Sequence, residues 1–220
     1  MNVPIYFDIE TIPSQLPGVM DEFRAAVQAP GHYKKPDSIA AWLEENREAE
    51  AEAAWLKTSF DGGMGHVCVI SWAYGDEAPS SASVREFGDV NQERALLGEF
   101  FAALKPGHQF IGHNIIGFDL PFLWKRAMVL GVKPPMYFPR DPKPWGESVC
   151  DTMLLWDSSQ RAGGSMDRIC RLMGIPGKGD MDGGKVWPMV RDGQIEAVAS
   201  YCRDDVARTR AMHRRMTFAE

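Results

Sequence analysis

Apolar and polar residues alternate at the start of the chain with the period of two that is typical of a β-strand. We predict a first strand over residues 3–10, in which Asp8 and Glu10 share one face. The opposite face carries Val3, Ile5, Phe7 and Ile9. Two carboxylates a few ångströms apart raise each other's pKa unless a positive charge lies between them, and a divalent metal ion commonly provides it. On its own an Asp-x-Glu pair is a weak signal, because chance produces it often.

The patterns further along the chain predict an α/β protein. Apolar runs predict strands over residues 66–74, 83–87 and 109–114. Helical spacing predicts helices over residues 20–27, 38–57, 91–104, 120–130, 150–157, 165–173 and 194–216. This order of elements favours one domain over residues 1–220, built on a mixed sheet flanked by helices. Residues 14–60 are interpreted as a helical insertion after the first strand.

Composition and charge argue against several classes of protein. The net charge of −6 disfavours a protein that coats duplex DNA, but it is compatible with a nuclease, because metal-binding carboxylates are themselves acidic. The 4 cysteines are far apart and form no Cys-x-x-Cys pair, which indicates buried thiols in a reducing compartment rather than a zinc site or disulfides. No run approaches the ~18 apolar residues of a membrane span, and the start of the chain does not resemble a signal peptide. A cytoplasmic protein without membrane contact is expected.

A second acidic position follows the predicted strand 109–114. Asp119 lies where the next helix begins, so it is either the N-cap of that helix or a functional carboxylate. Asn114 is by default a turn residue.

A third acidic position lies within the C-terminal helix. At about 100° per residue, Asp205 falls roughly 80° from the centre of the apolar stripe, with Tyr201 one turn earlier on the same flank. Asp204 points away from the stripe and is expected to be solvated. A half-buried aspartate is costly unless it is paired or binds a metal, whereas Tyr201 could equally be an ordinary boundary aromatic.

Taken together, three segments resemble the exonuclease motifs of the DEDD superfamily of 3′–5′ exonucleases, in the subclass whose third motif is Tyr-x-x-x-Asp. They are Phe7 to Thr11, Asn114 to Asp119, and Tyr201 to Asp205. The chain as a whole resembles a stand-alone group related to the proofreading domain of family B DNA polymerases. That group also carries a Lys-Pro-rich insertion and a stretch like residues 178–183 of this chain.

The resemblance implies a ribonuclease H-like fold with a mixed five-stranded sheet, and phosphodiester hydrolysis assisted by two Mg²⁺ or Mn²⁺ ions. The implied metal ligands are Asp8, Glu10, Asp119 and Asp205. Tyr201 would complete the catalytic set by orienting the attacking water.

The resemblance also implies contacts with the substrate, a single strand with a free 3′ end. The implied contact residues are Thr11, Asn114, Phe118 and Lys178. DNA is favoured over RNA as the substrate, but an exoribonuclease and a catalytically silent binding module stay open. Asp151 matches a further acidic position of the family or is an N-cap, and Arg126 is one of several cations that could contact phosphate.

Overall fold

The computed structural model describes residues 3–144, 146–158, 164–177, 179 and 181–219. The strands within this part of the chain are β1 (Val3–Ile12), β2 (His66–Tyr74), β3 (Ser80–Ser83), β4 (His108–Gly112) and β5 (Val149–Asp151). The helices there are α1 (Val19–Ala26), α2 (Pro36–Leu56), α3 (Val90–Ala103), α4 (Asp119–Leu130), α5 (Thr152–Trp156), α6 (Met166–Met173), α7 (Val186–Arg191) and α8 (Ile195–Thr217). None of these helices is both long enough and apolar enough to cross a bilayer.

The strands form one mixed sheet in the order β3-β2-β1-β4-β5. β1 is antiparallel to β2 and parallel to β4, β2 is antiparallel to β3, and β4 is parallel to β5. The mixed five-stranded sheet flanked by helices is therefore confirmed. The register shifts between Glu10 and Thr11, where β1 bends just after its two acidic residues.

The two faces of β1 are buried against different partners. Ile5, Phe7 and Ile9 belong to the main apolar core, in which Phe7 packs against Phe100 of α3 with ring centroids 5.3 Å apart. Tyr6 packs on the other face with Val206 of α8. Alternation along β1 thus directs Asp8 and Glu10 towards α8. Val3, predicted to share the core face, is 51% exposed because it begins the strand.

Helices α1 and α2 follow β1 directly, which confirms the helical insertion. Trp55 anchors the end of α2: its Nε1 donates to the Ser14 carbonyl at 2.8 Å, and its ring meets that of Trp187 edge-on. Arg24 of α1 forms an ion pair with Glu48 of α2 at 2.9 Å.

The predicted strand over 83–87 is wrong in position, because the strand is Ser80–Ser83. The chain turns after Val84, where the amides of Arg85 and Glu86 donate to the Gln92 side chain of α3. Asp89, rather than Asn91, supplies the side-chain cap of α3.

A buried ionic cluster joins β2, α3 and α4. Glu93 Oε2 lies 2.9 Å from His66 Nδ1 and 2.5 Å from Arg126 Nη2. The side chains of Glu93 and Arg126 are each 3% exposed. Arg126 therefore has a structural partner, and the suggestion that it contacts phosphate is wrong.

Candidate active site

Asp8 and Glu10 lie side by side on β1, as the alternation predicts. Potential ligand atoms of Asp8, Glu10 and Cys202 all lie within 4.8 Å of one another. Asp8 is partly exposed, whereas Glu10 is 8% exposed. The strand thus presents one carboxylate near solvent and one in the interior.

Cys202 of α8 joins this pair as a hydrogen-bond donor. Its Sγ lies 3.4 Å from Asp8 Oδ2 and 3.4 Å from the Asp8 carbonyl oxygen. Burial raises the pKa of the thiol well above its usual value, and the charges of Asp8 and Glu10 raise it further. Cys202 is thus a neutral donor that holds Asp8, a role the sequence did not indicate because Cys202 reads as part of the apolar stripe.

Asp119 is the first residue of α4, and its carboxylate points towards β1. Its Oδ1 accepts a hydrogen bond from the Ile9 amide at 3.2 Å, and the residue is 4% exposed. Burial raises the pKa of Asp119 well above its usual value, and the charges of Asp8 and Asp151 add to this effect. The N-cap position belongs to Phe118, so the N-cap interpretation of Asp119 is wrong.

The C-terminal helix α8 brings Tyr201 and Asp205 to the site, where the charges of Asp205, Glu10 and Asp8 act on the Tyr201 hydroxyl. Tyr201 and Asp205 are both buried, at 6% and 3% exposure. Burial and the neighbouring charge of Asp205 raise the pKa of Tyr201, and the two side chains share a hydrogen bond. The Tyr201 hydroxyl therefore stays protonated. The Asp204 side chain is 63% exposed and that of Asp205 is 4% exposed, which is the difference the helical wheel predicts.

Asp151 fixes the loop before α4. Its Oδ1 accepts from the Asn114 amide at 2.9 Å, and its Oδ2 accepts from the Ile116 amide at 3.1 Å. It also caps α5 through the amides of Met153 and Leu154, so its N-cap interpretation is confirmed. Asn114 has a positive φ of 61°, a conformation that asparagine adopts more readily than most residues.

Two of the remaining predicted contact residues adjoin candidate ligands along the chain: Thr11 follows Glu10, and Phe118 precedes Asp119. Thr11 Oγ1 donates to the Ser59 carbonyl at 2.7 Å. Phe118 packs between Phe60 and Phe122, with centroid distances of 6.3 and 5.5 Å. Lys178 lies outside the described residues.

A groove of about 860 Å³ opens beside Asn114. Its lining comes from the end of the insertion, the two residues after β4, α5, residues 164–167, and residues 179 and 181–183. Residues that line it include Phe60, His113, Asn114, Met153, Met166 and Met181.

The donor set fits hard divalent cations. Asp8, Glu10, Asp119 and Asp205 offer carboxylate oxygens, which Mg²⁺ and Mn²⁺ prefer to sulfur. Burial raises the pKa of Asp119, and the charges of Asp8 and Asp151 add to the effect, so a bound cation would stabilise the ionised form of Asp119.

Comparison with known proteins assigns this chain to a family. Residues 55–220 match the family described as predicted 3′–5′ exonucleases related to the exonuclease domain of PolB. The chain belongs to this family. The match includes Asp119, Tyr201 and Asp205, whereas the β1 carboxylates precede the matched residues. No curated protein sequence matches the chain.

The fold of this family member is similar to that of a solved polymerase structure. The family B DNA polymerase from the hyperthermophilic archaeon Pyrobaculum calidifontis matches with a TM-score of 0.57 and 16% sequence identity. The match covers 99% of this chain and 25% of the polymerase, so this chain spans a quarter of the polymerase's length. At this identity the likeness establishes the fold, which confirms the ribonuclease H-like architecture.

Proposed function

We propose that this chain is a metal-dependent 3′–5′ exonuclease that hydrolyses single-stranded DNA. The observation that carries the proposal is how close acidic side chains of β1, α4 and α8 lie to common neighbours. The charges of Asp205, Glu10 and Asp8 all act on Tyr201, and the charge of Asp8 acts on Asp119. Ile9 of β1 donates to Asp119 of α4, and Cys202 of α8 donates to Asp8 of β1. Membership of a predicted exonuclease family supports this function.

Asp8, Glu10, Asp119 and Asp205 would hold two Mg²⁺ or Mn²⁺ ions. Such ions, when bound, make water nucleophilic at neutral pH and stabilise the charge of the leaving oxygen. The surrounding protein orients the ligands: Cys202 and the Ile9 amide each bind a carboxylate oxygen, leaving further lone pairs for a metal.

Tyr201 would orient the attacking water by hydrogen bonding through its neutral hydroxyl. Its raised pKa argues against a role as general base near pH 7. Thr11, Asn114 and Phe118 would contact the 3′-terminal nucleotide. Thr11 follows Glu10, Phe118 precedes Asp119, and the Asn114 amide donates to Asp151, whose charge acts on Asp119. Lys178 would contact phosphate.

The test is hydrolysis of matched 5′-labelled DNA and RNA single strands with Mn²⁺, Mg²⁺ or EDTA. We expect a ladder that shortens from the 3′ end only when metal is present, with DNA degraded faster. Asp8→Ala should abolish the ladder. Asp204→Ala is the matched control, because its side chain is 63% exposed, and it should stay active.

Three outcomes would contradict parts of this proposal. Faster degradation of RNA would identify an exoribonuclease. A fully active Asp8→Ala variant would exclude the site assignment. Binding of a single strand without hydrolysis under any metal would identify a binding module instead.

A further inference from the structure

Phe60 is a large apolar side chain that the fold leaves in solvent beside the candidate site. It is 72% exposed. Its ring contacts that of Phe118 at 61°, and Phe118 directly precedes Asp119. An isolated exposed phenylalanine needs no explanation, but this one contacts the residue before a buried carboxylate and lines a groove.

The backbone that carries Phe60 is firmly held. Phe60 ends the short 3₁₀ helix Lys57–Phe60, which closes the insertion. Thr58 Oγ1 accepts from the Ser14 amide at 2.8 Å, and the Ser59 carbonyl accepts from Thr11 Oγ1 at 2.7 Å. Both contacts join this helix to the chain just beyond Glu10.

A glycine holds the other end of the segment against α4. A Cβ atom at Gly62 would lie 2.5 Å from the Phe122 carbonyl oxygen, so only glycine allows this approach. Phe60 therefore keeps its position relative to Phe118, and its exposure does not result from a loose loop.

The groove beyond Phe60 is suited to bases rather than phosphates. The thioethers of Met153, Met166 and Met181 line it, and such side chains pack well against flat rings. Among the described residues that line it there is no lysine or arginine, so the groove offers no cationic side chain to a phosphate backbone. Its volume of about 860 Å³ lies within the range of ~300–1,000 Å³ that is typical of ligand sites.

We propose that Phe60 is a substrate-contacting residue, whose ring stacks on a base near the 3′ end of the single strand. The groove accepts one or two such bases while the sugar-phosphate backbone faces solvent. This inference rests on the proposed function, because it requires a strand whose 3′ end lies at the carboxylates. It gives the insertion a role in holding single-stranded substrate, since stacking requires a base that is free of its partner strand.

The test compares Phe60→Ala and Phe60→Trp with Phe218→Ala. Phe218 is the matched control, because it is 92% exposed at the far end of α8. Binding is measured by fluorescence anisotropy in the Asp8→Ala background, with one DNA strand that is intact and one that lacks the bases of its last two nucleotides. Loss of one stacked base typically weakens single-strand binding about tenfold.

We expect Phe60→Ala to bind the intact strand about tenfold more weakly, and Phe60→Trp and Phe218→Ala to bind it normally. The Phe60→Ala variant and the protein that retains Phe60 should bind the strand without terminal bases equally well. In the active enzyme, Phe60→Ala should raise KM more than it lowers kcat.

Normal binding of the intact strand by Phe60→Ala would overturn the inference. An equal loss of affinity for both strands would also overturn it, because the contribution of Phe60 to binding would then not depend on a terminal base. Neither result affects the proposed function, which is tested separately by metal-dependent hydrolysis with the unaltered protein and the Asp8→Ala variant.

Discussion

Arg208 holds Asp205 through a hydrogen bond of 2.8 Å from its Nη1 to Asp205 Oδ1. The same guanidinium donates from Nε to the Pro176 carbonyl at 3.3 Å. A cation one turn along α8 thus partly offsets the charge of a candidate metal ligand and fixes its orientation.

We expect Arg208→Gln to destabilise the metal-free protein by about 2 kcal/mol, since hydrogen bonds to buried charged groups contribute this much. Mn²⁺ should then stabilise the variant more than the unaltered protein, because the metal would neutralise Asp205 in place of Arg208. Urea unfolding with EDTA and with Mn²⁺ measures both effects. Arg191→Gln is the control, because its side chain is 62% exposed. Equal stabilisation of Arg208→Gln and of the unaltered protein by Mn²⁺ would contradict this account.

The sequence predicted the carboxylate positions because each depends on a simple period. Alternation places Asp8 beside Glu10, and the helical wheel separates Asp205 from Asp204. In both cases the apolar face of the strand or helix is buried, and the position of each aspartate or glutamate relative to that face follows from residues close to it in sequence.

Other features depend on contacts between distant residues and could not be predicted in this way. β5 contains three residues, Val149–Asp151, too few for a recognisable pattern. α7 carries Pro188 in its first turn, where proline is tolerated, but the sequence suggests a break there. The exposure of Phe60 follows from contacts made by its neighbours with Thr11 and Ser14.

Replacing Asp119 by asparagine should separate stability from function. The amide keeps an oxygen for the Ile9 hydrogen bond but removes a buried charge near Asp8. We expect the metal-free protein to become more stable, because the substitution removes a buried charge that the protein disfavours. The rate of hydrolysis should fall by more than about 100-fold. Mutation of a residue that only hydrogen-bonds to a metal ligand can already lower activity by up to about 100-fold, and Asp119 would be a ligand itself.

Thermal unfolding without metal and the 3′-end ladder measure the two effects of Asp119→Asn. Asp204→Asn is the matched control and should change neither. A less stable, fully active Asp119→Asn protein would show that Asp119 serves only to anchor α4.

Tyr201→Phe tests whether the hydroxyl acts on substrate. We expect kcat to fall about 100-fold, typical of a lost proton-positioning group, while stabilisation by Mn²⁺ persists because the carboxylates remain. Tyr137→Phe is the control, since its hydroxyl donates to the Leu104 carbonyl at 2.8 Å and lines no part of the site. An unchanged kcat in Tyr201→Phe would assign Tyr201 to packing alone.

Glu93 gives the fold a dependence on pH that is separate from the candidate site. Burial alone would raise the pKa of Glu93, but hydrogen bonds from His66 and Arg126 outweigh it, so the pKa is lowered in the folded protein. The unfolded chain therefore binds this proton more tightly. The stability from Glu93 is present above its unfolded pKa of about 4.3 and is lost as pH falls through the lower, folded value.

We expect Glu93→Gln to cost about 3 kcal/mol at pH 7, because it leaves the Arg126 charge buried without its carboxylate. The difference in the free energy of unfolding between the variant and the unaltered protein should shrink below about pH 4, where Glu93 becomes protonated when the unaltered protein unfolds. Urea unfolding at several pH values measures that difference. Glu99→Gln, an exposed change in the same helix, should stay within about 0.5 kcal/mol throughout. A difference for Glu93→Gln that is constant across pH would mean that packing, rather than charge, makes Glu93 important.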